Sequence, residues 1–431
     1  MHRSAHALYV SPDYTIVDGY RYKATPADAF NAGLAGLATR TAALFGSEGV
    51  VMLDAEAAIA LGFTLDSQEV NNPALIAELG AAGWQCGALG RWSSLRAKDR
   101  PTVYVGLAPM IDPEWMPLWH EFPADLCGSL ALWHELTGSA YHHSPGAAGL
   151  SMLINSTRYH TQWFSQVGPD RSRGGYELAW RADYWDRLST HTAPFRHGYD
   201  KHSAGLAAAT CTLLPRQALR HTGRREWQRN AAGWWCIERS PWNLDLMPDP
   251  AGPGKDDEAV IWVTSPRMAL LQELAAEGVY AAPRIVDSYT APATEVVKSW
   301  ADKLSAATKR AQTLAADRAA DGTPTALAQD AERVLTALRD AAGQTTGMLG
   351  SATSARAQRA DWHYALVAMQ GCSAWRTGWR VGKTAGVWPL AIDGDKLWYG
   401  ADTADAIAAC PPGLKLGVGV GQYHHEGTIP Q

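Results

Sequence analysis

Short apolar runs alternate with Ala- and Leu-rich segments over the first 165 residues of this 431-residue chain. Residues 7–23 alternate in polarity and turn at Ser11, Pro12 and Asp13, which predicts a hairpin. Further strands are predicted over 49–53 and 102–107, and helices over 27–46, 71–83 and 124–136. Residues 138–155 predict a loop rich in Gly, Ser and Pro that runs into an apolar segment. This alternation predicts an α/β domain that ends near residue 165.

The rest of the chain mixes helical and strand patterns in a different order. Strands are predicted over 195–199 and 259–264, helices over 203–214, 266–277 and 361–379, and a β-hairpin over 386–399. Residues 294–342 predict a helical hairpin. Asp321 and Gly322 break it, and Thr323 and Pro324 restart it as N-cap and first helical residue.

Composition excludes several classes of protein. The formal net charge is −5 and only 19% of the residues are charged, which excludes a globally basic surface for nucleic acid but allows a local basic groove. The six cysteines are scattered, which favours free thiols in a reducing cytoplasm. The N-terminus lacks the apolar core of a signal peptide, and no run is long enough to span a membrane. We therefore expect a soluble, cytoplasmic protein without a membrane partner.

Two acids lie in the predicted hairpin, at Asp393 and Asp395. Asp-Gly is the favoured pair of a two-residue turn, because both central positions take positive φ. Asp393 and Gly394 could therefore be only the turn of the hairpin, without a functional role. Asp395 would then begin the return strand with its side chain near the same tip. An exposed pair of acids flanked by apolar strands is costly unless something neutralises it, and a cation is the obvious partner.

A third acid, Asp200, lies between a strand candidate and the helix that begins near Ser203. The structural reading is that Asp200 or Ser203 caps this helix. The functional reading uses the same geometry, since a strand end presents the carboxylate to a metal and a helix start offers free N–H groups to a triphosphate. Phosphoryl transfer with two divalent ions needs at least two carboxylates that converge on one point. The pairing of Asp200 with the hairpin acids is therefore the central functional expectation.

Cationic residues suggest phosphate contacts at two places. Residues 216–229 are rich in arginine and read either as a solvated loop or as a phosphate-binding segment beside Asp200. Arg339 precedes Gly343 by one helical turn, which suits close approach of a phosphate, although a surface arginine near a helix C-terminus is the ordinary alternative.

Two weaker motifs have simpler readings. Residues 378–384 resemble a phosphate-binding loop, but their glycines are one residue too close and they follow a helix rather than a strand. An ATPase that uses Lys383 is therefore a distant alternative. Asp54 and Glu56 have the spacing of a nuclease metal pair, yet they fit better as acids at a helix N-terminus.

In order, these segments resemble the palm and fingers of family B DNA polymerases. The first palm motif of that family is Asp, with Ser three residues later and then Leu-Tyr-Pro. Asp200 and Ser203 match it, while Ala204, Gly205 and Leu206 stand in the next places. The second palm motif is Tyr-x-Asp-Thr-Asp-Ser, in which Asp393 and Asp395 match while Ala391, Gly394 and Lys396 depart.

The fingers motif and the last palm strand of the family are matched more loosely. The fingers motif is Lys, then Asn, Tyr and Gly at four, seven and eight residues on; Arg339 and Gly347 match in type, while Gly343 and Thr346 do not. Residues 421–426 are similar to a Gly-x-x-Lys-x-Glu strand, with His where Lys is usual. The resemblance covers residues 170–431. The layout is also similar to polymerase-like proteins of actinobacterial phages and linear replicons, including telomere-associated proteins.

The resemblance implies a fold and a domain organisation. The expected fold is α/β and α+β, with an RNase H-like N-terminal domain over 1–165, a palm over 166–290 and 350–431, and a helical-hairpin fingers insertion over 291–349. The N-terminal domain would be a degenerate exonuclease without nuclease activity. A thumb would be minimal or absent, because few residues follow the last palm strand.

The resemblance also implies roles for individual residues. Asp200 and Asp395 would hold two Mg²⁺ (or Mn²⁺) ions with Asp393 beside them. Nucleotide contacts would come from Ser203, Gly205, Arg339 and Gly347, and nucleic-acid contacts from Arg216, Arg220, Arg224 and Arg225. Gly205 stands where the family has the Tyr that blocks a 2′-hydroxyl, which implies weak discrimination between ribo- and deoxyribonucleotides.

The expected activity is template-directed nucleotidyl transfer of a DNA polymerase or primase-like kind. The expected partners are single-stranded or primed DNA, nucleoside triphosphates, and a protein that supplies a thumb or primer function. The rival expectation is a catalytically inactive polymerase-like protein that binds nucleic acid at replication origins or telomeres.

Overall fold

A computed structural model describes residues 5–22, 33–65, 72–157, 191–244, 246–252, 259–351 and 358–430. The chain divides into two compact units, Met1–Met152 with Lys303–Thr345, and Leu153–Asp302 with Thr346–Gln431. The predicted boundary near residue 165 lies outside the described residues. Each helix within the described ranges is too short or too polar to cross a lipid bilayer.

A mixed sheet forms the centre of the first unit. Its strands are β1 (Ala7–Val10), β2 (Thr15–Val17), β3 (Tyr20–Tyr22), β4 (Gly49–Leu53), β5 (Trp92–Leu95) and β6 (Val103–Leu107). Their order in the described part of the sheet is β3-β2-β1-β4-β6-β5. β1, β4 and β6 are parallel and are buried along their whole length, as expected for continuous apolar runs in a sheet covered on both faces. The predicted hairpin of residues 7–23 is confirmed as β1 and β2.

Helices accompany this sheet, namely α1 (Gly33–Phe45), α2 (Ala55–Ala60), α3 (Pro73–Ala81), α4 (Pro123–Thr137) and α5 (Pro145–Thr157). Within the described residues, α1, α3 and α4 confirm the helices predicted over 27–46, 71–83 and 124–136. Asp54 is the N-cap of α2, where its Oδ1 accepts a hydrogen bond of 2.7 Å from the Ala57 N–H. The capping interpretation of this acid is therefore confirmed. The loop predicted over 138–155 is wrong from Pro145 onward, because Pro suits the first helical turn.

The helical hairpin predicted over 294–342 is present as α8 (Lys298–Ala315) and α9 (Ala326–Gly350), with α6 and α7 lying earlier in the chain. The second helix starts later than predicted. Thr325, rather than Thr323, caps it by accepting a hydrogen bond of 3.1 Å from the Ala328 N–H. Within the first unit, Ser129 of α4 donates a hydrogen bond of 2.7 Å to Asp330 of α9.

Two antiparallel sheets form the second unit. Their strands are β7 (Phe195–Lys201), β8 (Leu214–Pro215), β9 (Arg220–His221), β10 (Ala231–Glu238), β11 (Val260–Thr264), β12 (Ile285–Thr294), β13 (Ala391–Asp393), β14 (Lys396–Ala401) and β15 (Tyr423–Pro430). In the described residues one sheet has the order β11-β10-β12-β8, with β9 also paired to β12, and the other has the order β13-β14-β7-β15.

The helices of the second unit are α6 (Ala204–Cys211), α7 (Ser265–Ala276) and α10 (Ala360–Ala385). The core of this unit includes Tyr199, Leu397 and Tyr423 from the sheet and Trp375 and Val381 from α10. One face of the β13-β14-β7-β15 sheet therefore packs on a helix.

Residues 378–384 lie inside α10, and Lys383 donates a hydrogen bond of 2.9 Å to Glu277. The phosphate-loop reading is wrong, because a continuous helix leaves no loop to surround a phosphate.

Candidate active site

The site is built around β7, a central strand of its sheet. Register places His424 of β15 opposite Asp200 and Leu397 of β14 opposite Tyr199. Continuing the second register by one residue sets Lys396 beside Asp200. Directly opposed residues in an antiparallel pair point to the same face. Asp200 thus lies between a lysine and a histidine on the face opposite the buried Tyr199.

The hairpin between β13 and β14 turns one residue later than predicted. Asp393 pairs with Lys396, so Gly394 and Asp395 are the two central residues of the turn. Gly394 has a φ of 63°, which matches a turn with Gly at the first central position. The sequence favoured Asp393 and Gly394 as the central pair because Asp-Gly is common in turns. Asp395 therefore lies in the turn itself rather than at the start of the return strand.

The dipeptide Asp-Lys occurs in both halves of the site, as Asp200-Lys201 and Asp395-Lys396. Antiparallel pairing reverses one copy relative to the other. The register between β7 and β14 ends at Tyr199 and Leu397, just before these two dipeptides. Each carboxylate interacts electrostatically with the lysine of the other segment, Asp200 with Lys396 and Asp395 with Lys201. Sequence reasoning missed both lysines, although the repeated dipeptide was a signal for them.

The two carboxylates are close enough to repel each other. Burial, and then the charge of Asp200, raise the pKa of Asp395 from 3.8 to about 6. Burial, followed by the charge of Glu426, likewise raises the pKa of Asp200, while His424 and Lys396 act in the opposite direction. Shifts of this kind are common where acidic groups serve a function.

The two lysines occupy different surroundings. Lys201 is 7% exposed, its ammonium donates a hydrogen bond of 2.8 Å to Ser373 of α10, and it lies 5.1 Å from the centre of the Tyr423 ring. Burial lowers its pKa, which Asp395 counteracts. Lys396 forms an ion pair with Glu426. Both lysines therefore compensate part of the negative charge of the site.

The start of α6 directly follows Asp200. Ser203 occupies the N-cap position with a φ of 51°, and its side chain makes no capping hydrogen bond. The capping alternative for this serine is therefore wrong. A non-glycine residue in the left-handed region carries strain of about 1–3 kcal/mol and persists where the surrounding structure enforces it. Such strain clusters at functional sites.

Two histidines complete the region. The rings of His202 and His424 stack with 4.0 Å between their centres. The Nδ1 atom of His424 is buried and has no hydrogen-bond partner among the described residues. His424 is the residue that stands where the family has a lysine, and register places it beside Asp200.

The other predicted nucleotide contacts lie at separate places. Gly205 is in the first turn of α6, where an added Cβ would lie 3.5 Å from Gln370 Nε2 and 4.0 Å from Thr346 Oγ1. Gly347 is exposed on α9. Arg339 is exposed on the part of α9 that belongs to the first unit. Its contact with a triphosphate stays a prediction.

The predicted nucleic-acid contacts cluster in the β8–β10 region of the second unit. Arg216, Arg220 and Arg224 are exposed, and Arg225 is half-buried. Arg220 lies on β9, opposite Thr290 of β12.

The acids fit a divalent cation as a pair. Among the described residues, no group of three or more His, Cys, Asp or Glu side chains forms a metal cluster. Mg²⁺ in nucleotide-handling proteins is usually held by one or two carboxylates, with water and phosphate oxygens as the other ligands. Asp200 and Asp395 are two half-buried carboxylates, and the charge of Asp200 raises the pKa of Asp395. They meet that requirement, because a cation between them would relieve this repulsion.

Comparison with known proteins adds a similarity of overall structure. No protein-family model and no curated protein sequence matches the chain. Among solved structures, it is similar to Phi29 DNA polymerase complexed with primer-template DNA and incoming nucleotide substrates, with a TM-score of 0.49 and 10% identity over 100% of this chain and 85% of that chain. It is also similar to Phi29 DNA polymerase complexed with single-stranded DNA, with a TM-score of 0.45 and 9% identity over 99% of this chain and 84% of that chain. At these scores the similarity carries no conclusion about function, which has to come from the residues of the site.

Proposed function

We propose that this chain catalyses metal-dependent, template-directed nucleotidyl transfer of a DNA polymerase or primase-like kind. The single observation that carries the proposal is the meeting of Asp200 and Asp395 in one sheet. These acids come from distant segments. Burial raises the pKa of both, and the charge of Asp200 raises the pKa of Asp395 further. Two converging carboxylates are the minimum that two-metal phosphoryl transfer requires.

Asp200 and Asp395 would hold Mg²⁺ or Mn²⁺, with Asp393 at the end of the neighbouring strand. When bound, the ions would neutralise the phosphates of the nucleotide and the charge that develops during transfer. The backbone N–H groups at the start of α6 would face the triphosphate, as free N–H groups at helix N-termini do for anions. Ser203 and Gly205 belong to this helix start, and Arg339 and Gly347 would complete the nucleotide contacts.

Single-stranded or primed DNA and nucleoside triphosphates would be the substrates, and a protein partner would supply thumb or primer function. The exposed arginines at 216, 220, 224 and 225 would contact the nucleic acid. For the first unit we propose an RNase H-like fold without nuclease activity. The three antiparallel strands β1, β2 and β3, followed by the parallel strands β4 and β6, support the fold. The division into a palm and a helical fingers insertion is part of the same proposal.

The crossed lysines favour a second candidate, a polymerase-like protein that binds nucleic acid without catalysis. Lys201 and Lys396 already place positive charge beside Asp395 and Asp200. Ammonium groups in such positions compete with a metal for the same carboxylates. An inactive protein of this kind would act at replication origins or telomeres, as the linear-replicon resemblance suggests.

One assay separates the two candidates. The protein is incubated with primed and unprimed template, Mg²⁺ or Mn²⁺, and either ribo- or deoxyribonucleoside triphosphates. The catalytic proposal expects product that disappears in Asp200→Asn and Asp395→Asn but persists in Asp402→Asn, an exposed acid of the same unit. Absence of product, with template binding that survives in all variants and weakens steeply with salt, would establish the inactive candidate.

A further inference from the structure

A concave groove lies beside β9 in the second unit and has a volume of about 410 Å³. Its lining combines polar side chains (Arg220, Arg225, Gln217, Gln228, Asn230 and Thr290) with apolar surface from three alanines and a proline. Sites for small ligands commonly have volumes of about 300–1,000 Å³. The groove is therefore large enough for one nucleotide unit and too small for a duplex.

One arginine of the groove is fixed in place before any ligand binds. Arg225 donates a hydrogen bond of 3.3 Å to Thr290 Oγ1 and another of 2.8 Å to Gln228 Oε1. Thr290 itself is hydrogen-bonded to Thr222 at 3.0 Å. A guanidinium that is already oriented loses little conformational entropy when it binds an anion.

The second arginine is available for a ligand. Arg220 is exposed, and its guanidinium forms no hydrogen bond or ion pair with the described residues. The surrounding segment of residues 216–230 contains five arginines and one acid, Glu226. A local positive potential of this kind attracts phosphate even though the whole chain is acidic.

The remaining lining residues indicate which part of a ligand, besides the phosphate, the groove would bind. The side-chain amides of Gln217, Gln228 and Asn230 offer both donors and acceptors. Base edges present the same mixture of groups, and they are free only in an unpaired strand. Because Gln228 Oε1 already accepts a hydrogen bond from Arg225, the amides of Gln217 and Asn230 are the main groups left for a base edge, and an inorganic anion would not use their donors and acceptors together.

We propose that this groove binds one nucleotide of a single strand, with its phosphodiester between Arg220 and Arg225 and its base edge against the amides. The proposal rests on the proposed use of a nucleic-acid template, and it adds a defined subsite for the unpaired strand. DNA and RNA share the phosphodiester, so both are probes in the test.

The test measures the binding of a fluorescent 12-nucleotide oligothymidylate by anisotropy, in EDTA and without nucleotides. Gln217→Glu adds a negative charge at a side chain without hydrogen bonds in the described structure, and Arg220→Gln removes an unpaired cation, so neither change disturbs folding. We expect each to weaken binding roughly three- to tenfold and Arg220→Gln to reduce the slope of log K against log salt by about 0.7, the value for one phosphate contact to a single strand. Arg229→Gln, an exposed change of the same charge in the same segment but outside the groove, is the matched control.

Four outcomes would overturn the groove. The first two are unchanged binding in both groove variants, and a loss of binding in Arg229→Gln as large as in the groove variants. The third is that the groove variants weaken the binding of duplex as much as that of the single strand. The fourth is that inorganic phosphate competes as effectively as unlabelled oligonucleotide at the same ionic strength. A uridylate oligomer distinguishes RNA from DNA as the source of the strand. Because metal and nucleotides are absent, loss of binding in the groove variants would stand even if the protein forms no product. Conversely, if the protein forms product and the groove variants bind the oligonucleotide as wild type does, the groove proposal alone is wrong.

Discussion

Asp395 combines a functional position with an unfavourable environment for the folded chain. Its pKa is raised from 3.8 to about 6 by burial and by Asp200. The folded state therefore binds this proton more tightly than the unfolded state does. The stability that this provides is complete below pH 4 and is lost as the pH rises through about 6. At neutral pH the ionised carboxylate lowers the stability of the folded chain, and a bound cation would relieve that cost.

We therefore predict that Asp395→Asn stabilises the protein at pH 7 while it abolishes activity. The shift corresponds to a gain of at most roughly 3 kcal/mol in the free energy of unfolding. The gain should vanish at pH 4, where the wild-type carboxyl is largely protonated. Urea unfolding at both pH values measures it, with the exposed Asp402→Asn as the control. An Asn variant that is less stable than wild type at pH 7 would show that the carboxylate is already compensated.

Gly205 offers a test of sugar discrimination at a single residue. The space beside it is bounded by Gln370 and Thr346 at ordinary contact distances from an added Cβ. Gly205→Tyr should suppress ribonucleotide incorporation at least ~10-fold relative to deoxyribonucleotides, because the ring would occupy the position of a 2′-hydroxyl. Gly205→Ala, which fits without a clash and favours the helix, should leave the ratio unchanged. Equal ratios in the Tyr variant and in wild type would remove this role.

At the scale of elements, a buried ion pair ties α10 to β8. Arg359 precedes α10 and is fully buried, and it contacts Asp361 through hydrogen bonds of 2.9 Å and 2.6 Å. It also donates a hydrogen bond of 2.7 Å to the Pro215 carbonyl of β8. α10 supplies Ser373 to Lys201 and Gln370 beside Gly205. This ion pair therefore helps to fix the helix that borders the site.

Asp361→Asn should destabilise the protein by about 3–5 kcal/mol, because it leaves a buried arginine without its counter-charge. Asp302→Asn is the matched control, since Asp302 pairs with Lys298 on the surface of α8. Thermal or urea unfolding of the two variants provides the comparison. Similar, small losses in both would mean that water or another group compensates Arg359.

The elements also show what sequence reasoning can and cannot find. β11 and the hairpin strands follow directly from apolar runs, since each has a buried face. β7 was also predicted as a strand, although Arg196, His197 and Asp200 interrupt its apolar residues. β10 and β12 were missed. β12 contains Pro292, which argues against a strand, and its buried Ser288 and Thr290 are satisfied by Thr222, a partner distant in sequence. The turn at Gly394 was shifted by one residue because tertiary pairing overrode the usual Asp-Gly preference.

At the scale of the whole molecule, the site exists only because distant segments pair in one sheet. Asp200 and Asp395 were each predicted as functional acids from their local sequence context. The resemblance to a polymerase palm then predicted that they belong to one site. The repeated Asp-Lys dipeptide was a sequence signal for the two lysines, but the histidine stack and the groove beside β9 could not be predicted, since each depends on register between strands far apart in the chain. The net charge did not indicate where nucleic acid would bind either, because the arginines of residues 216–229 are concentrated on one segment of an acidic chain.

The most direct test of a cation shared by Asp200 and Asp395 is a Mn²⁺ titration of the protein. Electron paramagnetic resonance measures binding as the decrease in the signal of free Mn²⁺. The account predicts that wild type binds Mn²⁺, more tightly at pH 8 than at pH 5.5 because the ligands must be deprotonated. Asp200→Asn and Asp395→Asn should each weaken binding about tenfold or more, while Asp402→Asn should bind as wild type does. Wild-type affinity in both Asp200→Asn and Asp395→Asn would contradict the account, because the two carboxylates would then share no ion.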